Sequence, residues 1–240
     1  MHGDHHAVVM PGGNLIYTAN DGGVAASKDG GKTWEPRNRG LVTTMFYAVD
    51  VAPTNSAIFG GGCQDNGTLV TGIGQPTGDF RRVLTGDGGW MVFDSTDETH
   101  VFGSSQNLKI SRHLPGSRWD VEWKPAPLPA TEVTPGEQAQ TATAVMVMDP
   151  RTSPGAKTVW LGSSRLWKTT NSGGTWHPVS PFFDGSAITA IDVAPANPEQ
   201  ILVGTTNGRI FRSRDRGATW SANLAGPEIP MRMISCISRS

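Results

Sequence analysis

Aspartates in glycine-rich turns are the residues of this sequence best suited to acid–base chemistry. Two carboxyl groups about 6.5–9.5 Å apart can together break an acetal linkage, because one protonates the leaving oxygen while the other activates a water molecule. Three turns of this chain carry such a carboxylate, and these three aspartates are the candidate catalytic residues. They are Asp21 in Asn20-Asp-Gly-Gly23, Asp65 in Gln64-Asp-Asn-Gly67 and Asp87 in Gly86-Asp-Gly-Gly-Trp90.

Polar and aromatic side chains beside these turns could bind a ligand. Amide and imidazole groups donate and accept hydrogen bonds, and an indole can stack on a sugar ring. The alternative is that the three motifs only form tight turns and that Trp90 belongs to the core. The candidate binding residues are His5, His6, Asn20, Gln64, Asn66, Trp90 and Gln106.

A metal site is a further alternative. Asp4, His5 and His6, with Asp21 or Asp87, offer imidazole and carboxylate ligands that suit zinc or manganese, and the acidic turns would suit calcium. Adjacent side chains of a strand point to opposite sides, so at most one of the two histidines would reach a shared centre. The sequence holds no His-Glu-x-x-His motif and no cysteine cluster. We therefore expect no cofactor, with a divalent metal as the alternative.

An eight-residue signature that occurs three times indicates which elements position these turns. Each copy fits Ser/Thr-x-Asp/Asn-x-Gly-x-Thr-Trp. In a hairpin turn of this composition the Asp or Asn accepts hydrogen bonds from backbone amides, glycine supplies a positive φ, and the Trp packs against the strands. A signature repeated within one chain predicts a repeat architecture. The copies are Ser27–Trp34, Thr169–Trp176 and Ser213–Trp220.

Two further markers give the length of the repeat. Aromatic residues at Trp34, Phe80, Trp119, Trp176 and Trp220 are 46, 39, 57 and 44 residues apart. The aspartates that end apolar runs, Asp50, Asp94, Asp149 and Asp192, are 44, 55 and 43 residues apart. This shared period fits a four-stranded propeller blade, and alternating apolar residues predict strands with no helix of useful length. We predict an all-β chain, a β-propeller of about five four-stranded blades in a single domain over residues 1–240.

The markers also give approximate boundaries. The blades are predicted at about 5–40, 45–84, 88–124, 141–180 and 187–224, with an extra strand at 231–240. The Pro-rich stretch 124–143 is predicted to be a surface loop that lengthens the third gap. Because an open ring leaves unpaired edges, we expect a segment of a larger propeller, a closed five-blade ring, or a homo-oligomer that completes the propeller.

Topology divides the polar residues of such a propeller between two faces. Turns between the second and third strands of a blade lie on one face, with the connections into the next blade, and the signature turns lie on the other. The signature carboxylates Asp29 and Asp215, and the periodic aspartates beside their turns, are therefore expected to be structural. The candidate site residues collect on the opposite face, in blades one to three, near the axis.

The composition of the chain argues against two classes of binding partner. The chain has 20 Lys and Arg against 21 Asp and Glu, so nothing suggests binding to nucleic acid or to an anionic membrane. No apolar stretch approaches the length of a membrane span, and no signal peptide precedes His2. We expect neither nucleic acid nor membrane as a partner.

The signature resembles the Asp-box, or bacterial-neuraminidase, repeat of β-propeller proteins. Residues 18–27 are similar to the first-blade segment of glycoside hydrolase family 74 xyloglucanases, and 86–90 to the acidic Gly-Gly motif of that family. This resemblance implies a glycoside hydrolase in which Asp21 is the general base and Asp87 the general acid. In that family the two acids come from two facing propellers, whereas Asp21 and Asp87 lie two blades apart in one.

The similarity to large secreted Asp-box proteins, labelled glycosyl hydrolase or sortilin-like, covers most of the chain. It implies a secreted bacterial protein, extracellular or periplasmic, that acts on a polysaccharide or oligosaccharide. Sortilin-type receptors and photosystem II assembly factors are also Asp-box propellers, so the alternative is a non-enzymatic propeller that binds a protein, a peptide or a glycan. A sialidase is disfavoured, because the chain has two tyrosines and no Phe/Tyr-Arg-Ile-Pro element.

Overall fold

The computed structural model describes residues 5–39, 44–74, 78–117, 119, 122–140, 144–151 and 157–226. These residues form five antiparallel sheets, in which each strand pairs with the next along the chain. The predicted all-β architecture is therefore confirmed. Asp4 and the predicted strand at 231–240 lie outside the described residues.

Each of the first four sheets has three main strands and a short outer strand, and the fifth has three strands. The first sheet contains β1 (His5–Gly12), β2 (Leu15–Asn20), β3 (Gly23–Ser27) and β4 (Glu35–Pro36); the second contains β5 (Phe46–Val51), β6 (Phe59–Cys63), β7 (Gly67–Thr71) and β8 (Arg81–Leu84). The third contains β9 (Gly88–Phe93), β10 (Val101–Ser105), β11 (Lys109–His113) and β12 (Lys124–Pro125); the fourth contains β13 (Val145–Met148), β14 (Val159–Gly162), β15 (Leu166–Thr169) and β16 (His177–Pro178). The fifth contains β17 (Ile188–Val193), β18 (Ile201–Thr205) and β19 (Ile210–Ser213).

The fifth sheet lacks a fourth strand in the described part of the chain, although backbone bonds continue beside β19. The Ser221 N–H donates to the Arg212 carbonyl at 2.9 Å, and the Leu224 N–H donates to the Ile210 carbonyl at 2.7 Å. These bonds place residues 221–224 where β16 lies in the fourth sheet.

Consecutive sheets from the second to the fifth pack face to face through apolar side chains. β5 and β6 pack on β9, β9 packs on β13, and β13 packs on β17. Three buried clusters fill these contacts, and their largest members are Trp160, Trp167 and Trp176, with at most 2% exposure. In the described part of the chain the five sheets do not close into a ring.

The periodic aspartates connect one sheet to the next. The Asp50 carboxylate accepts the Phe93 N–H at 2.9 Å, which links the second sheet to the third. Asp94 pairs with Lys157 at 3.1 Å, and Asp149 pairs with Arg216 at 2.6 Å, in each case across to the following sheet or its signature turn. These three aspartates therefore have structural contacts.

The signature turns have the hydrogen bonds that their composition predicts. Asp29 Oδ1 accepts the Thr33 N–H at 2.9 Å, and its Oδ2 accepts the Thr33 hydroxyl at 2.6 Å. In the fourth sheet Asn171 Oδ1 accepts the Thr175 N–H at 2.8 Å. An asparagine at this position therefore accepts the same backbone N–H hydrogen bond as an aspartate, because an amide oxygen accepts hydrogen bonds as a carboxylate oxygen does.

The prediction that 124–143 is a surface loop is wrong in two parts, because Lys124–Pro125 is strand β12 and Pro135–Gln140 forms helix α1. Its first turn is a capping box: the Glu137 N–H donates to Thr134 Oγ1 at 3.1 Å, and Glu137 Oε2 accepts the Thr134 N–H at 3.4 Å. Pro135 follows the cap, where its missing N–H costs nothing. In the described part of the chain, no helix has the length and apolar character that crossing a membrane requires.

Candidate functional site

An open depression of about 510 Å³ lies between the second-to-third-strand turns of the first and second sheets. Two of the three candidate aspartates and four of the candidate binding residues line it. Met45, which the sequence analysis did not select, completes the lining. The residues are His6, Asn20, Asp21, Met45, Gln64, Asp65 and Asn66.

The turn that carries Asp21 is fixed from both sides. Asn20 Oδ1 accepts the Gly22 N–H at 2.9 Å, a local bond typical of asparagine in turns. Asn38 reaches across from the chain after β4: its Oδ1 accepts the Val24 N–H at 2.8 Å and its Nδ2 donates to the Gly22 carbonyl at 2.7 Å. Asn38 therefore positions the Asp21 turn through the backbone of Gly22 and Val24.

Asn38 was missed by the sequence analysis, although a repeated signal marks it. A polar residue three or four positions after each signature Trp binds the backbone at the start of the third strand. Asn223 Oδ1 accepts the Ile210 N–H at 3.0 Å, and Ser180 Oγ accepts the Leu166 N–H at 2.8 Å. Comparing the three repeats at this position would have found Asn38.

The turn that carries Asp65 joins the first sheet to the second. Asp65 has φ 59°, and Gly67 has φ 78°. These left-handed conformations reverse the chain tightly between β6 and β7. Asn66 Nδ2 donates to the Gln64 carbonyl at 3.1 Å and approaches the Asp21 carbonyl at 3.5 Å. The Asp21 and Asp65 turns therefore lie side by side.

Asp87, from the third sheet, meets the same turn. Its Oδ1 accepts the Asp65 N–H at 2.9 Å, and its carbonyl accepts the Gln106 N–H at 3.2 Å. This approach depends on glycines, because β6 and β9 touch through bare backbone. A Cβ on Gly88 would lie 2.7 Å from the Gly62 Cα and would also collide with the Gly67 carbonyl.

The two histidines of β1 contact different partners. His6 Nε2 contacts Asp21 Oδ1, with the His6 side chain 64% exposed. His5 Nδ1 lies 2.7 Å from the Thr18 hydroxyl, within the first sheet. His6 therefore belongs to the depression, whereas His5 lies outside its lining.

Tyr47, like Met45 and Asn38, is a residue that the sequence analysis did not place in the site. Burial raises the pKa of the Tyr47 phenol above its ordinary value of 10.0, and the negative charges of Asp87 and Asp65 raise it further. A phenol that is 46% exposed and within electrostatic reach of two carboxylates can donate a hydrogen bond to a ligand. Exposed and half-buried residues alternate along β5, and Tyr47 occupies one of the exposed positions.

Trp90 does not line the depression. It packs against the apolar clusters of the third to fifth sheets and lies beside Val49 and Met146 in a separate groove. The Gln106 N–H donates to the Asp87 carbonyl, and a Cβ on Gly86 would lie 2.8 Å from the Gln106 side chain. These two residues stay candidates from the sequence alone.

Metal-ligating groups do not converge among the described residues. No three His, Cys, Asp or Glu side chains in those segments lie close enough together to hold a metal ion. Asp4, part of the alternative metal site, lies outside the described residues.

No protein-family model matches the sequence, and no curated protein matches it. Solved structures do match. The Niastella koreensis GH74 enzyme superposes with a TM-score of 0.54 at 18% identity, covering 90% of this chain and 38% of that one. The GH74 xyloglucanase from Xanthomonas campestris gives 0.51 at 17% identity, covering 88% and 36%. The structure described as YCF48 bound to D1 peptide gives 0.51 at 16% identity, covering 93% and 67%.

At these identities the similarity concerns the fold alone. The predicted resemblance to GH74 enzymes is confirmed at that level, and it extends to YCF48. The chain spans less than two fifths of the length of either GH74 enzyme.

Proposed function

We propose that this chain is a carbohydrate-active β-propeller that hydrolyses glycosidic bonds at the depression between its first and second sheets. The observation that carries the proposal is the meeting of three acidic turns at residues 64–67. Asp65 lines the depression with Asp21 and donates its N–H to Asp87 at 2.9 Å. Asp21 and Asp65 thus line one open, polar surface, and Asp87 lies outside that lining but is hydrogen-bonded to it through the Asp65 N–H.

In this proposal Asp21 is the general base and Asp87 the general acid. Asp87 protonates the leaving glycosidic oxygen, while Asp21 takes a proton from the attacking water. His6 orients the Asp21 carboxylate through their direct contact. The Asp65 N–H orients Asp87, and the Asp65 carboxylate is the group that could replace either acid.

The rest of the lining suits sugar hydroxyl groups. The amides of Asn20, Gln64 and Asn66 and the His6 imidazole each donate or accept hydrogen bonds. We propose a polysaccharide or oligosaccharide as the ligand, with His5, Trp90 and Gln106 as further binding residues.

Reducing-sugar release from a panel of neutral glycans tests the hydrolase. Asp21→Asn and Asp87→Asn each remove one ionisable group while keeping size, so turnover should fall at least about 100-fold with little change in KM. Asp29→Asn is the matched control, because Asn171 occupies the equivalent position of the fourth sheet. This control should keep full activity.

Retained activity in both site variants would contradict the assignment of Asp21 and Asp87. Loss in all three variants would point to a folding defect instead, which circular dichroism would reveal. A folded wild-type protein that releases no sugar would favour the second candidate function.

The second candidate is a non-enzymatic propeller that binds a protein, a peptide or a glycan. It is supported by the fold similarity to the structure described as YCF48 bound to D1 peptide, which covers 93% of this chain. Under this function Asp21→Asn would weaken ligand binding modestly, and no bond would be broken. Titration with peptide and glycan arrays separates the two functions.

Three wider features belong to the same proposal. The five sheets are blades of a propeller, built on Asp-box repeats, that a homo-oligomer completes. The protein is secreted by a bacterium and works outside the cell or in the periplasm. Fractionation of the source cells and mass measurement of the purified protein test these features.

A further inference from the structure

A second open depression, of about 690 Å³, lies between the fourth sheet and the signature turn of the fifth. It shares no lining residue with the candidate site between the first and second sheets. Two cations and an indole stand among its lining residues. We call this surface, formed by Lys168, 178–181, 215–218 and Trp220, the fourth–fifth depression.

The contact between the third and fourth sheets shows how the same place is filled elsewhere. There the signature Trp176 donates its Nε1–H to the Ala126 carbonyl at 3.0 Å, just as Trp220 donates to the Val179 carbonyl at 3.0 Å. The two contacts are therefore built alike. Trp176 is 2% exposed, whereas Trp220 is only partly buried and lines the fourth–fifth depression.

The cations of the two contacts also differ. Arg112 on β11 donates from Nη1 to the carbonyl of Ser172, in the signature turn of the next sheet. Lys168 holds the equivalent place on β15, one residue before the strand ends. Its ammonium lies 4.7 Å from the centroid of the Trp160 ring, and among the described residues it has no ion pair and no hydrogen bond.

The charges around Lys168 are paired with one another. Arg216 pairs with Asp149 at 2.6 Å, and Arg151 pairs with Glu199. Burial and then the charge of Arg216 lower the pKa of Lys168, and the attraction of Asp149 offsets these effects only in part. An anion beside the ammonium would favour its charged form.

The carboxylate within the lining is held by its own turn. Asp215 Oδ1 accepts the Ser213 hydroxyl and the Thr219 N–H, each at 2.8 Å, and its Oδ2 accepts the Thr219 hydroxyl. Asp215 therefore leaves Lys168 to an outside partner. One unpaired ammonium matches a single negative charge, which favours a carboxylate as the ligand group.

We propose that the fourth–fifth depression binds an acidic sugar residue, a uronate, whose carboxylate pairs with Lys168 while its ring packs against Trp220. An indole presents a large apolar surface on which the C–H face of a sugar can lie. The choice of a sugar rests on the proposed carbohydrate-active function, whereas the contact between Lys168 and an anion does not.

NMR titration of the full chain with galacturonic acid, galactose and acetate tests the proposal. Galactose has the ring without the carboxylate, and acetate has the carboxylate without the ring. Galacturonate should bind at least about tenfold more tightly than either, because only galacturonate makes both contacts. None of the three contains a glycosidic bond, so a failure of the proposed hydrolase would leave this result unchanged.

Three lysine variants locate the site. Lys168→Met removes the charge and should weaken galacturonate binding at least about tenfold. Lys168→Arg restores the charge with the side chain that the third sheet carries at this place, and it should bind galacturonate nearly as well as wild type does. Lys28→Met is the matched control, because Lys28 is 68% exposed and lies outside the depression.

Equal affinity for galactose and galacturonate, or equal galacturonate affinity in Lys168→Met and wild type, would overturn the proposal. Absence of galacturonate binding to the folded wild-type protein would overturn it too. Acetate that binds as tightly as galacturonate would exclude the contact between the ring and Trp220, and with it the acidic sugar as the ligand.

Discussion

Carboxylates of the signature turns and of the candidate site differ in what surrounds their oxygens. Hydrogen bonds from Thr33, through its hydroxyl and then its N–H, lower the pKa of Asp29 to about 2. Since the folded state holds this pKa below the ordinary value, the stability that it contributes is present above about pH 4 and is lost as the pH falls towards 2. The Asp29 carboxylate therefore stabilises its own turn through hydrogen bonds, whereas Asp21 lines an open depression.

Tyr47 provides a direct measure of the charge at the site. Its pKa is raised first by burial and then by Asp87 and Asp65. Asp87→Asn removes one of these negative charges, so the phenol should ionise more readily and its pKa should fall part of the way towards 10.0. The fall is only partial because burial, the larger cause of the raised Tyr47 pKa, is unchanged by the substitution.

Absorbance of the tyrosinate during an alkaline titration measures this shift. The chain has two tyrosines, so a Tyr17→Phe background leaves Tyr47 as the reporter. Asp29→Asn in the same background is the control and should not move the titration. An unchanged Tyr47 titration in Asp87→Asn would place Asp87 too far from the phenol for the proposed site.

At the scale of elements, the site depends on how closely the second and third sheets approach. A Cβ on Gly62 would collide with the backbone of Gly88 and Gly89, and backbone cannot move aside as a flexible side chain can. Gly62→Ala should therefore destabilise the protein by about 3 kcal/mol, the upper range for overpacking. It should also lower activity, since the Asp65–Asp87 bond lies beside this contact.

Urea unfolding and sugar release together test this prediction. Gly136→Ala is the control, because nothing lies within 4 Å of its added Cβ and it stands in helix α1. That substitution should be neutral or stabilise by about 0.5–1 kcal/mol. A Gly62→Ala protein as stable as wild type would mean that the two sheets do not touch through their glycines.

The sequence predicts elements that repeat and misses those that do not. The signature turns follow from local composition, so their hydrogen bonds could be anticipated. Helix α1 was missed because its six residues are too short for a helical period, although Thr134-Pro-Gly-Glu137 is a capping box. Glu137 illustrates the limit: it is buried against Trp167, with 2.9 Å between Oε1 and Nε1, a contact across 30 residues that no local pattern contains.

The candidate site divides in the same way. Asp21 and Asp65 stand in recognisable turns, so their residue types could be selected from the sequence. Their convergence with Asp87 depends on backbone contact between β6 and β9, which is a tertiary property. Tyr47 carries no motif, and its electrostatic interaction with Asp65 and Asp87 depends on how the tertiary fold arranges their turns.

At the scale of the whole molecule, the five sheets are unequally anchored. The three buried apolar clusters draw their members from the second to fifth sheets and from the segment before α1, and none of their members comes from the first sheet. Backbone hydrogen bonds hold β1 to β3 together, but little apolar surface fixes them to the rest. Segments with few buried contacts open at lower free energy than the core does.

Amide hydrogen exchange should therefore show β1 and β2 exchanging faster than β9, β13 and β17 in the monomer. Exchange in β1 that is as slow as exchange in β9 would mean that the first sheet is anchored as firmly as the buried strands.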